Sequence, residues 1–290
     1  MIESGAAEGE FKDYWERFAA HLEQLDRSPL TVKNYRSDLK SFEQWLNASE
    51  HALLSLTKVS SKELKQYQKF LLMQQKLNPR SMNRRMGTLK SFYTWLQQTE
   101  RPTESRFPIM PAPVKAVSVK RPVPLTQVEQ RSLLEAVQQD QNPRDRAIIK
   151  LLLYTGMRVG ELCELRWADM EIGAEQGLLL VRQLKSYLDR RIVLPPEVCA
   201  ALLDLGYQAQ AGNQTPVFVG QRGGMTSRGV QDVVRKYARR VGLENLTPHM
   251  LRHTCMASRV EQGMRPEDVA DSMGASAEMM LHYYERRLPI

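Results

Sequence analysis

The chain has 290 residues, enough for two domains that each bury a hydrophobic core. Its formal net charge of +8 and pI near 9.4 favour a polyanionic partner, because a basic surface attracts phosphates and releases their counterions. Charge alone does not separate DNA from RNA or from membrane lipid. No apolar run reaches the roughly 18 residues of a membrane span, and residues 1–10 are small and acidic rather than a signal peptide, so we expect a cytoplasmic protein without a membrane partner.

The three cysteines Cys163, Cys199 and Cys255 lie far apart in apolar helical patterns. An odd number at such spacing favours buried free thiols over a disulfide or a metal site. We therefore expect no metal ion bound by these cysteines.

The first part of the chain carries four helical patterns. Residues 1–10, rich in Gly, Ala and Glu, are expected to form a flexible tail, and apolar positions at helical spacing begin at Phe11. Further helices are predicted to start at Ser28-Pro29, at the capping box Ser60-Ser-Lys-Glu63 and at Asn78-Pro79. These patterns predict a helical bundle over residues 11–101.

The third and fourth helical patterns are strongly basic. Between Leu64 and Thr99 there are seven basic residues and no acidic residue. A solvated helix face normally mixes both signs, so this excess favours a surface that faces phosphates. The predicted phosphate contacts here are Arg80, Arg84, Arg85 and Lys90.

A proline-rich stretch separates the two domains. Residues 101–124 contain six prolines and no helical or strand period, which predicts a linker over residues 102–124. A second domain, residues 125–290, follows, and a capping box at Thr126-Gln-Val-Glu129 begins its first helix.

The second domain combines helices with a few strands. The apolar helix Ala147–Tyr154 is expected to be buried on nearly all sides. Leu178–Leu184 and Arg191–Leu194 are strand-like and joined by a hairpin, and Val217–Val219 suggests a third strand. Helices are predicted over residues 196–206, 226–241, 248–263 and 266–273, with Arg228, Arg235 and Arg239 as further phosphate contacts. The fold class is therefore mainly α with a small antiparallel β-sheet.

Two arginines and a histidine lie near the starts of helices. Arg158 follows the helix stop at Thr155-Gly156. His249 and Arg252 are three residues apart, so they share one helix face next to its positive end. Two guanidinium groups and an imidazole around one phosphate would stabilise a phosphoryl-transfer transition state without a metal ion.

Tyr284 is the candidate nucleophile. A phenol with an ordinary pKa near about 10 needs nearby cations or a base to lose its proton. Attack on DNA would keep the bond energy in a phosphotyrosyl linkage, so strands rejoin without a nucleotide cofactor. Lys185, on the hairpin, is the candidate general acid for the leaving oxygen. Each of these residues alone has an ordinary structural explanation, and their joint order is the informative signal.

These segments resemble the motifs of tyrosine recombinases of the phage integrase family, most closely the Xer-type and transposon-borne members. The resemblance covers nearly the whole chain after residue 10. The matching segments are Thr155-Gly-Met-Arg158-Val-Gly-Glu161-Leu for the first-arginine motif, Lys185-Ser-Tyr-Leu-Asp-Arg190 for the hairpin lysine and His249-Met-Leu-Arg252-His253-Thr254 for the His-x-x-Arg box. Tyr284 stands nine residues beyond Ala275, at the family spacing, which favours it over Tyr283 as the nucleophile.

Two features depart from the family pattern. Met273-Gly274-Ala275 falls where the family has Leu-Gly-His or Leu-Gly-Trp, and alanine cannot donate the implied hydrogen bond to the scissile phosphate. Losing one such donor typically costs ~3 kcal/mol in the transition state. His282 is the nearest substitute in sequence. Only six residues follow Tyr284, whereas family members commonly extend further and dock this tail on a neighbouring subunit.

The resemblance implies a two-domain clamp around duplex DNA and site-specific recombination through a 3′-phosphotyrosyl intermediate. It implies that Arg158, His249 and Arg252 activate the phosphate, that Lys185 is the general acid and Tyr284 the nucleophile, and that Glu161 and His253 support them. The implied partners are double-stranded DNA with paired inverted sites, a homo-tetramer and accessory directionality proteins, in the bacterial nucleoid, for a mobile element or for replicon resolution. Two alternatives stay open: a DNA-organising protein without turnover, and a topoisomerase-like strand cleaver.

Overall fold

The computed structural model describes residues 4–48, 54, 56–99, 108–115, 123–182, 189–221 and 223–274, with side chains from residue 11 onward. The chain divides into two compact units, Met1–Lys120 and Arg121–Ile290. Most of the described chain is helical, as expected from the sequence, and the strands form small antiparallel sheets. Within the described ranges, no helix is both long enough and apolar enough to cross a bilayer.

The first unit contains four α-helices and a short 3-10 turn. The helices are α1 (Ser4–Gln24), α2 (Pro29–Asn47), α3 (Ser61–Met73) and α4 (Pro79–Thr99), with the turn at Leu56–Lys58. The Ser28 hydroxyl accepts the Thr31 N–H at 3.2 Å, and the Glu63 carboxylate accepts the Ser60 N–H at 2.8 Å. These caps confirm the predicted starts of α2 and α3.

Helix α1 begins earlier than the sequence pattern indicated. It starts at Ser4, so most of residues 1–10, the segment expected to be a flexible tail, is assigned to the helix. Alanine and glutamate are good helix formers, and they extend a helix even where the apolar period is missing.

Aromatic side chains fill the core of the first unit. Phe18, Phe42, Tyr67 and Phe92 are fully buried, and the rings of Phe18 and Phe92 pack edge to face with centroids 5.4 Å apart. Residues 108–115, inside the predicted linker, extend along this core. The Asn83 amide donates to the Val114 carbonyl at 2.8 Å and accepts the Val114 N–H at 3.0 Å. Part of the proline-rich stretch is therefore fastened to the first unit.

The second unit is built around the apolar helix α6. Its helices are α5 (Gln127–Gln139), α6 (Pro143–Thr155), α7 (Val159–Glu164), α8 (Pro196–Asp204), α9 (Tyr207–Gln210), α10 (Ser227–Arg240), α11 (Pro248–Glu261) and α12 (Pro266–Met273). Nearly every side chain of α6 from residue 147 to 153 is buried, as its apolar sequence predicted. The capping box at Thr126 and Glu129 is present at the start of α5.

The main sheet has the strand order β1, β2, β3, with β1 (Met170–Ile172), β2 (Gly177–Val181) and β3 (Arg190–Leu194) all antiparallel. The hairpin prediction is confirmed for β2 and β3. The predicted third strand at Val217–Val219 is wrong for this sheet: Val219 instead belongs to β4 (Val219–Gly220), which pairs with β5 (Gly223–Gly224). The third strand is β1, which follows a 3-10 turn and is too short to show an alternating pattern.

The three cysteines are free thiols, in agreement with the sequence expectation. Cys199 and Cys255 are buried, and Cys163 is half-buried. Burial raises the pKa of the Cys255 thiol, which keeps it protonated at neutral pH.

Candidate functional site

Arg252 joins the ends of two helices inside the second unit. Its side chain is 4% exposed. Nη1 donates to the carbonyl of Gly156, at the end of α6, at 2.6 Å, and Nη2 donates to the carbonyl of Met273, at the end of α12, at 2.7 Å. Burial, together with the positive charge of Arg158, lowers the pKa of Arg252 to about 10, so the group stays cationic at neutral pH.

Gly156 makes the close approach of these helix ends feasible. It ends α6 in the left-handed conformation, with φ of 62°. A Cβ atom at this position would collide with Met273 Cε and would lie 3.2 Å from Cys255 Sγ. Both the backbone conformation and the available space therefore require glycine at position 156.

Arg158 reaches the same helix end as Arg252. It is the N-cap residue of α7, and its main-chain N–H donates to Glu161 Oε2 at 2.7 Å. Nη1 donates to Glu161 Oε1 at 3.0 Å, and Nη2 donates to the carbonyl of Gly274. The two predicted catalytic arginines thus bind consecutive carbonyl groups, those of Met273 and Gly274, at the end of α12.

Glu161 is held by a second arginine that the sequence analysis did not single out. Arg190, on β3, is 8% exposed and donates from Nη1 and Nη2 to the two carboxylate oxygens of Glu161 at 2.9 and 2.7 Å. Burial raises the pKa of Glu161, but the hydrogen bonds from Arg190 and Arg158 outweigh it, and the pKa lies below its ordinary range. The available signal was that Arg190 occupies an inward position of β3, where an apolar residue is normal.

His249 and His253 form a contacting pair one turn apart on α11. Their Nε2 atoms are 2.9 Å apart and their rings are nearly perpendicular. His249 is exposed at the start of the helix, and His253 is buried beneath it. Partial desolvation and the charge of Arg252 lower the pKa of His249, which favours the neutral imidazole at pH 7. Since one nitrogen of His249 faces His253, its Nδ1 is the nitrogen left for a substrate.

The other predicted catalytic residues, Lys185 and Tyr284, lie outside the described residues, as do Tyr283, Ala275 and His282. The described chain ends at Gly274, which has φ of 56° and caps α12. The segment that carries Tyr284 therefore begins directly after the two carbonyls that Arg158 and Arg252 bind.

The predicted phosphate contacts lie on the surfaces of both units. Arg85 is half-buried and the others are exposed, namely Arg80, Arg84, Lys90, Arg228, Arg235 and Arg239. Arg235 pairs with Asp232 at 2.6 Å. Lys236 and Arg240, on the same helix, instead bind Asp140 at 2.5 and 2.7 Å and tie α10 to the end of α5. Contact with phosphate stays a prediction for each of these residues.

The chain is a mainly helical protein of two units. Its second unit contains Arg158, His249 and Arg252, and the two arginines bind the last carbonyls before the stretch of sequence that contains Tyr284. The phage integrase family model matches residues 124–288, and the model of the phage integrase N-terminal SAM-like domain matches residues 15–100. The tyrosine recombinase XerC of Xanthomonas campestris pv. campestris is 32% identical over 274 residues, which cover 90% of this chain and 80% of that protein. The chain therefore belongs to the phage integrase family and is a tyrosine-type site-specific recombinase.

Further relatives cover almost the whole chain. The TnP I resolvase of Bacillus thuringiensis is 25% identical, with 91% of this chain and 92% of that protein aligned. The crystal structure of XerA recombinase matches with a TM-score of 0.51 and 25% identity, covering 97% of this chain and 99% of that one. The XerH recombinase bound to its difH substrate matches with a TM-score of 0.71 over 92% of this chain and 81% of that one, at 18% identity, which shows the shared fold.

Proposed function

We propose that this protein cleaves and rejoins double-stranded DNA through a 3′-phosphotyrosyl intermediate, with Tyr284 as the nucleophile. The observation that supports it is the pair of arginines at the end of α12: Arg158 and Arg252 bind the carbonyls of Met273 and Gly274. Two cations are thus fixed where the tyrosine-bearing segment begins. A phosphate placed among them meets the charge that a phosphoryl-transfer transition state requires.

The chemistry assigns one role to each group. The Tyr284 phenol releases its proton to water as its oxygen attacks the phosphorus, and the bond from phosphorus to the 5′-oxygen of the next nucleotide breaks. Arg158 and Arg252 neutralise the developing charge on the non-bridging oxygens, and His249 donates to one of them from Nδ1. Lys185 gives its proton to the leaving 5′-oxygen. The reverse attack by a 5′-hydroxyl releases Tyr284 and joins a new strand.

The supporting groups keep this arrangement in place. Glu161 holds both the main chain and the guanidinium of Arg158, and Arg190 fixes Glu161 from the sheet. His253 orients the imidazole of His249 through the contact between their Nε2 atoms. A group held in this way loses little freedom when the phosphate binds.

We further propose that four copies act on paired inverted sites, with accessory proteins setting direction, to resolve replicons or the products of a mobile element. The near full-length similarity to proteins named XerC and TnP I resolvase supports this role. The XerH structure, which holds its difH substrate, supports duplex DNA as the partner.

The test is to trap a covalent complex on a suicide DNA substrate with a candidate site, comparing the native protein with Tyr284→Phe and Tyr283→Phe. We expect an adduct with the native protein and with Tyr283→Phe, and none with Tyr284→Phe. Binding without any adduct would replace this proposal with a DNA-organising role. Equal cleavage of duplexes that lack paired sites would indicate a topoisomerase-like activity instead.

A further inference from the structure

A buried carboxylate lies beneath two of the arginines that are predicted to contact phosphate in the first unit. Asp38, on α2, is 3% exposed. Its two oxygens accept hydrogen bonds from Nη1 and Nη2 of Arg84 at 2.5 and 2.8 Å, and Oδ2 also accepts from the Thr88 hydroxyl at 2.9 Å. Arg85 Nε lies 3.7 Å from Oδ1 of the same carboxylate.

The contacts draw together two side chains that would otherwise diverge. Arg84 and Arg85 are consecutive on α4, and neighbouring positions of a helix point in directions about 100° apart. Arg85 is fixed a second time, because Nη1 donates to the Ser41 hydroxyl at 3.0 Å and Ser41 also accepts from the Tyr67 hydroxyl at 3.2 Å. The network therefore ties α2, α3 and α4 to the two guanidinium groups.

Arg84 and Arg85 bind the buried carboxylate on their inner side and are partly exposed to solvent on their outer side. The side chain of Arg84 is 53% exposed and that of Arg85 26%, whereas the carboxylate between them is buried. A guanidinium carries more N–H donors than a carboxylate accepts, so the outward N–H groups of Arg84 can bind an anion while the inward ones stay on Asp38. A side chain that is already ordered loses less conformational entropy on binding.

Stability alone does not account for a buried ionic network of this kind. Replacing a buried ion pair by apolar residues of similar volume is often neutral or stabilising, because desolvation offsets the attraction. Asp38 also reduces the positive charge of the predicted phosphate-facing surface, which opposes DNA binding by simple electrostatics. Its contribution to binding must therefore come from geometry.

We propose that Asp38 is a positioning residue for DNA binding, which fixes the guanidinium groups of Arg84 and Arg85 side by side for the phosphate backbone. This inference rests on the proposed action on DNA. The proposal predicts that removing the Asp38 carboxylate lowers DNA affinity, whereas the change in charge alone would raise it. Asp38→Asn removes a negative charge, which by itself strengthens DNA binding, whereas loss of positioning weakens it.

The experiment measures the affinity of the full chain for a fluorescein-labelled random-sequence duplex by fluorescence anisotropy over a range of salt concentrations. We expect Asp38→Asn to weaken binding about tenfold, as ordering of two long side chains is lost. In the Arg84→Ala/Arg85→Ala background the same substitution should cause no further loss and leave affinity unchanged or slightly higher, because Asp38 acts through these arginines and only the effect of its charge remains. Unchanged or tighter binding by Asp38→Asn would overturn the proposal, as would an equal loss in both backgrounds.

Two further variants keep the test decisive. Asp13→Asn removes the same charge from an exposed pair with Arg17 on α1, whose atoms are 3.5 Å apart, and should leave affinity unchanged or slightly higher. Arg84→Lys keeps both charges and loses the two-pronged contact with Asp38, so it should weaken binding even if Asp38→Asn does not fold. If Arg84→Lys binds as tightly as the native protein, the positioning role is wrong. Failure of the native protein to bind any duplex would instead overturn the proposed function.

Discussion

Both units hold arginines against a carboxylate, but the partners that fix them differ. In the first unit, Asp38 binds Arg84 between α2 and α4, and all of the contacts are between side chains. In the second unit, Glu161 binds Arg158, while Arg158 and Arg252 also donate to main-chain carbonyls at the end of α12.

The difference indicates what each cluster controls. Arginines held by side chains within a helical bundle keep one position whatever the neighbouring chain does, which suits a binding surface. The arginines of the second unit are instead fixed to the main chain of Met273 and Gly274, the last described residues before the stretch of sequence that contains Tyr284. We therefore expect substitutions among Asp38, Arg84 and Arg85 to lower DNA affinity. Substitutions among Arg158, Glu161 and Arg252 should instead lower the rate of strand cleavage.

Arg252→Lys is the change expected to have the largest effect. A lysine ammonium cannot bridge the carbonyls of Gly156 and Met273 and also face a phosphate in the way proposed for the planar guanidinium. We expect cleavage to slow on the order of 100-fold to 1,000-fold while DNA affinity stays within about twofold. Single-turnover formation of the covalent adduct measures the rate, and anisotropy measures the affinity.

Arg259→Lys is the matched control for this test. Arg259 is also on α11 and also reaches α12, where Nη1 donates to the Ser272 hydroxyl at 2.7 Å, but it has no proposed catalytic role. It should leave the cleavage rate nearly unchanged. If both variants slow cleavage equally, the contact between α11 and α12 matters rather than the chemistry of Arg252.

Gly156→Ala is expected to have the next largest effect, on the stability of the second unit. Its φ of 62° is unfavourable for alanine, and the added Cβ atom collides with Met273. We expect a loss of about 3 kcal/mol in the free energy of unfolding, measured in urea. Gly87→Ala, inside α4 of the first unit, has nothing within 4 Å of the added Cβ and should instead stabilise by about 0.5–1 kcal/mol. Similar effects at the two glycines would contradict this account.

The sequence predicted helix starts well because capping is local. The N-caps at Ser28, Ser60 and Thr126 involve partners two or three residues away, and each was found where expected. The bounds of α12 were also predicted correctly, since a proline opens it and a glycine ends it. Strand β1 was missed because three residues after a 3-10 turn carry no readable period.

For the candidate site, the sequence indicated which residues to examine but not most of their contacts. Family motifs and helical spacing brought Arg158, His249 and Arg252 together, but nothing local indicates that a carbonyl at Gly274 accepts from an arginine 116 positions earlier. Asp38 and Arg84 are 46 positions apart in the sequence, and Glu161 and Arg190 are 29 positions apart. Such partners are determined by how helices and strands pack, which a single sequence does not reveal.

Arg190→Gln tests whether a buried ion pair fixes Glu161, as one fixes Asp38. Its effect should be smaller than those of Arg252→Lys and Gly156→Ala. Removing Arg190 leaves the half-buried Glu161 carboxylate without the two hydrogen bonds at 2.9 and 2.7 Å that reach it from the sheet. We expect a loss of about 2 kcal/mol in the free energy of unfolding at pH 7 and about tenfold slower cleavage, because Arg158 loses its orientation. DNA affinity should not change.

The pH dependence of that loss identifies its cause. The folded-state pKa of Glu161 lies below its ordinary value, so the native pair contributes stability above the unfolded pKa of about 4.3 and loses it as pH falls through the folded pKa. The stability difference between native protein and Arg190→Gln should therefore be full at neutral pH and shrink below about pH 4. Arg182→Gln, which removes a more exposed partner from Asp169 at 2.7 Å, should cost less than about 1 kcal/mol. A loss at Arg190→Gln that is the same at every pH would mean that packing, not the ion pair, fixes Glu161 under Arg158.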